Sequence, residues 1–162
     1  MTEEEERMRT ALFIGHSDCH CLSEAAVTAA IEAHIQKGVT CFLSGGQGAF
    51  DRLCARCVSR LKEKYPSVRN LLVIPYLTFG IFDRTLFDEI IYPDGFERYN
   101  FKAAIPARNK YMVQKSAFAI CYVFRDWGGA AQTYRLARKA GLVLTNLADD
   151  PTEQTKSTLS PR

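Results

Sequence analysis

At 162 residues the chain fits one domain with room for a substantial core. Its composition, 47% hydrophobic and 24% charged, is that of a globular protein and excludes a largely disordered one. The net charge is only +3 and the basic residues are dispersed, which argues against nucleic acid as a partner.

No stretch reaches the ~18 apolar residues that span a bilayer, so no membrane partner is expected. The start, Met1-Thr2-Glu3-Glu4-Glu5-Glu6, is acidic where a secretory signal is basic and then apolar. A cytoplasmic protein is expected, and its six cysteines should then be thiols.

In chain order, residues 1–9 read as a mobile acidic lead. Thr10 to Gly15 is an apolar run ending in glycine, the first expected strand. Ser23 can cap a helix whose apolar positions Val27, Ala30, Ile31 and Ile35 follow 3.6-residue spacing. Lys37-Gly38 ends it, and His34 on this helix is read as a surface residue. Cys19 and Cys21 lie beside His16, Asp18 and His20, but no second cluster accompanies them, so no metal is expected. His16 itself stands just past the first strand, either as a ligand contact or as a hydrogen-bonded structural residue.

Val39 to Leu43 is the second expected strand. Ser44-Gly45-Gly46-Gln47-Gly48 is a glycine-rich bend that lets backbone approach a ligand closely. The helix after it, Gly48 to Lys64, places Phe50, Leu53, Cys54, Cys57, Val58 and Leu61 on one face. Its Cys54-x-x-Cys57 pair lies past the first turn on that apolar face, where packing is the better reading than redox chemistry. A helix N-terminus behind a glycine bend suits a phosphate, yet the spacing is neither G-x-G-x-x-G nor a Walker loop. Tight turn and anion cradle stand even on this stretch alone.

Leu71 to Ile74 is a third strand, covered on both faces because it lacks polar alternation. Residues 76–102 form an irregular excursion in which Phe79 to Ile91 has room for a short helix. A helix over 103–115 is expected to begin near Pro106. Ala117 to Phe124 is the fourth strand, Trp127-Gly128-Gly129 a second glycine bend, Ala130 to Ala140 a helix and Leu142 to Leu147 the fifth strand. A polar, disordered tail is expected over 149–162. The pattern predicts an α/β protein: one Rossmann-like, doubly wound, mainly parallel five-stranded sheet over 10–148, with helices on both faces. Its two glycine bends should open on one crevice.

Ser44-Gly45-Gly46 with Gly48-x-Phe50-Asp51, then Ala107-Arg108-Asn109-x-Tyr111, then Gly128-Gly129-x-x-x-Thr133, resembles the SLOG superfamily, and within it the YpsA-like branch. That superfamily also includes the cytokinin-activating phosphoribohydrolases and the DNA-processing protein A group. The resemblance spans residues 10–147 and implies a nucleotide or nucleotide-derived ligand, such as an ADP-ribose-type molecule, bound as by a sensor or carrier. It implies Ser44, Gly45, Gly46, Gly48, Asp51, Arg108, Asn109, Gly128, Gly129 and Thr133 as ligand contacts, no cofactor and, in many relatives, a homodimer. Arg108 matches an arginine that touches phosphate or the scissile ribose in the phosphoribohydrolases. On residues alone, an ion pair with Asp51 or Asp126 explains it equally well.

An N-glycosidic hydrolase or transferase, with Arg108 and Asp51 as its catalytic residues, is the alternative implied. The phosphoribohydrolases place a glutamate after their second glycines. Here Ala130-Ala131-Gln132-Thr133-Tyr134-Arg135 holds no carboxylate, which weakens that alternative. Single-stranded DNA binding is the weakest reading.

Overall fold

The computed structural model describes residues 1–18 and 22–149. The potential metal cluster at Cys19, His20 and Cys21 and the tail from residue 150 lie outside the described residues.

Six strands form one sheet in which every pairing is parallel: β1 (Thr10–Gly15), β2 (Cys41–Ser44), β3 (Arg69–Val73), β4 (Glu89–Ile91), β5 (Phe118–Tyr122) and β6 (Val143–Asn146). Their spatial order is β4-β3-β2-β1-β5-β6. The helices are α1 (Glu3–Arg7), α2 (Glu24–Gln36), α3 (Ala49–Leu61), α4 (Phe101–Gln114) and α5 (Gly129–Lys139). The chain leaves β1 toward β2, whereas β5 pairs on the other side of β1, so the connections part company between β1 and β5. In an open α/β sheet a crevice forms there, beyond the carboxyl ends of the strands.

The sheet buries apolar side chains on both faces. On one, Phe13, Phe42, Val27, Ile31, Phe50, Cys54 and Val58 join β1 and β2 to α2 and α3. On the other, Leu12, Leu43, Val73, Met112, Val113 and Ala137 join the strands to α4 and α5. The apolar stripe of α3 is buried except for a partly buried Leu53, and Cys54 and Cys57 are core residues. Phe50 fills the space beside Gly15, where a Cβ would sit 2.2 Å from its ring. No substitution there fits without moving α3.

Four expectations need correction. The sheet has six strands rather than five, because Glu89–Ile91 in the excursion adds an edge strand to β3. Three residues are too short to show a period. The strand is fixed by its surroundings: Asp88 accepts from the Asn70 amide at 2.7 Å and Ile74 donates to the Ile91 carbonyl.

The second correction concerns α4, which begins at Phe101, five residues before Pro106. Asn100 caps it by accepting from Ala103 at 2.9 Å. The proline removes only the bond to the carbonyl of Lys102, an exposed residue in the first turn that water can serve. Third, Glu3–Arg7 is a short helix with a Thr2/Glu5 capping box, and Arg7 donates to the Ser116 carbonyl. Fourth, His34 is buried. Its Nδ1 donates to the Ala30 carbonyl at 2.7 Å and its ring meets Phe118 edge-on, so burial pushes its pKa down.

Among the described residues no helix is long and apolar enough to cross a membrane, and no group of His, Cys, Asp and Glu could hold a metal ion.

Candidate functional site

A crevice of about 310 Å³ opens at the point where β1 and β5 diverge. One wall comes from the end of β1 (Gly15, His16, Ser17), a second from α4 (Ile105, Asn109, Met112), and the third from Arg125, Trp127, Gly128 and Gly129. Gln47 of the first glycine bend closes one side. None of the lining residues is a carboxylate, so the surface offers chiefly donors.

The two glycine bends play unequal parts in it. In the first, the backbone donors turn inward. Gly46 donates to Ser44 Oγ at 3.1 Å, Gln47 to Asp51 Oδ2 at 2.9 Å and Ala49 to the Ser17 carbonyl at 2.9 Å. Gly48 has φ +94°, and a Cβ there would lie 2.4 Å from Ser17 Cα. The bend therefore needs glycine because the β1 loop is pressed against it.

Arg108 holds the bend from beneath. The residue is 1% exposed, and Nη1 donates to the carbonyls of Gly45 (2.7 Å) and Val73 (3.1 Å). Nη2 donates to Gln47 Oε1 at 2.8 Å and Nε to Asn109 Oδ1 at 2.8 Å. A Cβ on Gly45 would come within 2.9 Å of the guanidinium carbon, so this glycine makes room for the arginine. Asp51 is also buried. Burial pushes its pKa up to about 6, against the opposing pull of the Gln47 amide and of Arg108. Ser44, Gly45, Gly46, Asp51 and Arg108 thus form a buried support behind the crevice, and none of them lines it.

The second bend is open. Gly128, with φ +92°, stands at the N-cap of α5 without a side-chain cap, and a Cβ on Gly128 or Gly129 would meet nothing within 4 Å. Among the described residues the N–H groups of Gly129 and Ala130 have no hydrogen-bond partner. Unsatisfied donors and a partial positive charge therefore face the crevice. Thr133 lines it too, with its hydroxyl donating back to the Gly129 carbonyl at 2.9 Å. Asn109 Oδ1 is taken by Arg108, so its amide hydrogens remain for a ligand.

The expected ligand contacts left out most of the lining, including His16, Gln47, Arg125 and Trp127. His16 is 2% exposed and accepts from the Phe124 amide through Nε2 at 3.2 Å, which places its proton on Nδ1. Burial, aided by Arg125, holds its pKa down, so the ring is a neutral donor. Arg125 binds Asp18 through both Nη atoms at 3.2 and 2.8 Å, while its buried Nε has no partner among the described residues. Its guanidinium lies 4.1 Å from the centroid of Trp127, which is 64% exposed. Gln47 completes the group. The only usable signal was position, since each follows a strand end on the ligand side of the sheet.

The six-stranded parallel sheet, with helices on both faces and a crevice at the switch point, makes this a Rossmann-like α/β protein. No protein-family model matches the sequence, nor does any curated protein. Solved structures share the fold. DNA processing protein A from Streptococcus pneumoniae superposes with a TM-score of 0.63 at 14% identity, covering 94% of this chain and 56% of that one. This chain thus spans little more than half the length of that neighbour. DNA processing protein A from Helicobacter pylori, described for its single-stranded DNA binding mode, superposes with a TM-score of 0.60 at 16% identity. That match covers 98% of this chain and 76% of the neighbour. At these identities the two neighbours show a shared Rossmann-like fold. They also correct the charge argument against nucleic acid: a protein of this fold is described as binding single-stranded DNA, so a net charge of +3 does not set that partner aside.

Proposed function

We propose that the crevice binds a nucleotide or nucleotide-derived ligand, and that the protein acts as a carrier or sensor within the SLOG superfamily, in its YpsA-like branch and in the cytoplasm. The observation that carries this reading is the open N-terminus of α5, set among His16, Asn109 and Arg125 with no carboxylate in the lining. A phosphate fits the Gly128-Gly129 donors, as at other helix N-termini. The Trp127 face gives a base a surface on which to stack. N-glycosidic hydrolysis has less support, because Arg108 and Asp51 stand behind the wall, with Arg108 spent on loop carbonyls.

The only tryptophan of the chain lies at the site, so its fluorescence reads binding directly. AMP and ADP-ribose should change it saturably in the native protein, and Gly129→Glu should abolish the change. No response and no thermal shift with either ligand would end this reading.

A second reading, single-stranded DNA binding, is favoured by Phe124 and Trp127, both exposed with Arg125 between them. Such alternation suits stacking of successive bases along a cationic surface. The shared fold with the Helicobacter pylori protein supports it as well. Affinity for a short oligodeoxynucleotide should fall steeply with salt; a flat salt dependence argues against it.

A further inference from the structure

Arg108 does more than support the first bend: it fixes which atoms two crevice side chains can offer. A guanidinium has N–H donors and no acceptor, so every group that meets it must turn an oxygen toward it. Nη1 serves the carbonyls of Gly45 and Val73. Nε and Nη2 serve two carboxamides, Asn109 Oδ1 and Gln47 Oε1, each at 2.8 Å. Arg108 is buried, so water does not compete for these bonds. A carboxamide holds its oxygen and its NH2 group on separate arms of one planar carbon. With the oxygen tied to the wall, the NH2 group is the arm left to turn outward. Gln47 and Asn109 both line the crevice, and among the described residues neither NH2 group has a hydrogen-bond partner.

Elsewhere Asn and Gln read adenine by accepting from N6 and donating to N7 at once. Here the accepting half of each side chain is committed to Arg108. The lining adds no carboxylate, and His16 Nε2 already accepts from the Phe124 amide. An amino group set before this pair would leave water and gain no acceptor in return, which is unfavourable. From this we infer that Arg108 is a positioning residue of the crevice. It sets Gln47 and Asn109 as a fixed pair of donors for a ligand group that carries acceptors only. This rests on the crevice holding a nucleotide. Two parts of a nucleotide share that chemistry: a phosphoryl group, and the O6/N7 edge of a 6-oxopurine.

The test is calorimetric titration of the full chain with ribose 5-phosphate, AMP and inosine 5′-monophosphate. It is run on the native protein and on Gln47→Glu, Asn109→Asp and Arg108→Lys, with thermal unfolding of each variant. The two acidic variants keep an oxygen for Arg108 and put a second oxygen in place of the NH2 group. They should melt as the native protein does and bind about tenfold more weakly or worse. A loss shared by all three ligands assigns the pair to the phosphoryl group. A native preference of about tenfold for the inosine nucleotide over AMP, lost in the variants, assigns it to the base edge. In the 15N-labelled native protein, the side-chain NH2 signals of Gln47 and Asn109 should shift on ligand binding. A lysine lacks the planar fork that holds both carboxamides, so Arg108→Lys should also weaken binding. If that variant does not fold, the acidic variants and the NH2 signals decide.

NH2 signals that stay in place while a ligand binds overturn the inference and leave the crevice reading standing. Acidic variants that bind every ligand as the native protein does have the same meaning. Absence of binding by all three ligands in the native protein removes both.

Discussion

The two glycine bends look alike as sequence and differ in what they do. Ser44 to Gly48 is closed: its donors are spent on Ser44, Asp51 and Ser17, and Arg108 holds its carbonyls from below. Gly128-Gly129 is open, with space beside both glycines and no cap on α5. The difference arises from what packs against each bend. The first is pressed between Ser17 of the loop after β1 and Arg108 of α4. The second projects beside an exposed Trp127 and is left to solvent or a ligand. A glycine bend before a helix is therefore a ligand site only where the fold leaves its donors unused.

The largest expected effect tests the closed bend. Arg108→Ala strands the carbonyls of Gly45 and Val73 and opens a cavity, which should cost about 3–5 kcal/mol of stability. Chemical denaturation measures it; a loss below about 1 kcal/mol would remove Arg108 as the keystone of the loop.

Next come matched alanines. Gly48→Ala meets Ser17 and a positive φ together and should cost about 2–4 kcal/mol. Gly128→Ala bears only the strain of φ +92° and should cost about 1 kcal/mol. Equal losses at the two positions would erase the distinction between closed and open.

Asp51 adds a pH signature to the closed bend. Its pKa rises from 3.8 to about 6 on folding, so the folded state holds the proton more tightly. Its contribution is fully present below pH 3.8 and is lost as pH rises toward about 6, by roughly 2–3 kcal/mol. His16 and His34 act oppositely: their pKa values are lowered by burial, so their stabilisation is lost as pH falls below 6.5. The difference between the native protein and Asp51→Asn isolates the carboxylate. A difference that stays constant between pH 4 and 6.5 would contradict its burial as an acid.

The smallest stability effect belongs to the open bend. Gly129→Glu has room for its side chain and should leave the melting temperature nearly unchanged. Its charge in the crevice should still lower AMP affinity at least about tenfold. A large drop in stability together with binding would show that Gly129 is structural after all.

Part of this was legible in the residues. Strand-helix alternation fixed the parallel sheet and placed both bends at its carboxyl edge, because apolar periodicity and glycine punctuation are local signals. The cap at Ser23 and the buried stripe of α3 followed from the same rules. Local signals failed for β4, which is three residues long, and for the start of α4, where Asn100 outweighed Pro106.

The site divided in the same way. Gly128, Gly129, Asn109 and Thr133 could be picked out from motif position and do line the crevice. Ser44, Gly45, Asp51 and Arg108 carried equally strong motifs but are buried beneath it. The sequence by itself determined that two glycine bends, an arginine and an aspartate would gather at one edge of a parallel sheet. Only the tertiary structure decided which donors are satisfied internally and which remain free. Satisfaction depends on contacts between residues as distant as Gly45 and Arg108, and no local pattern of residues encodes these.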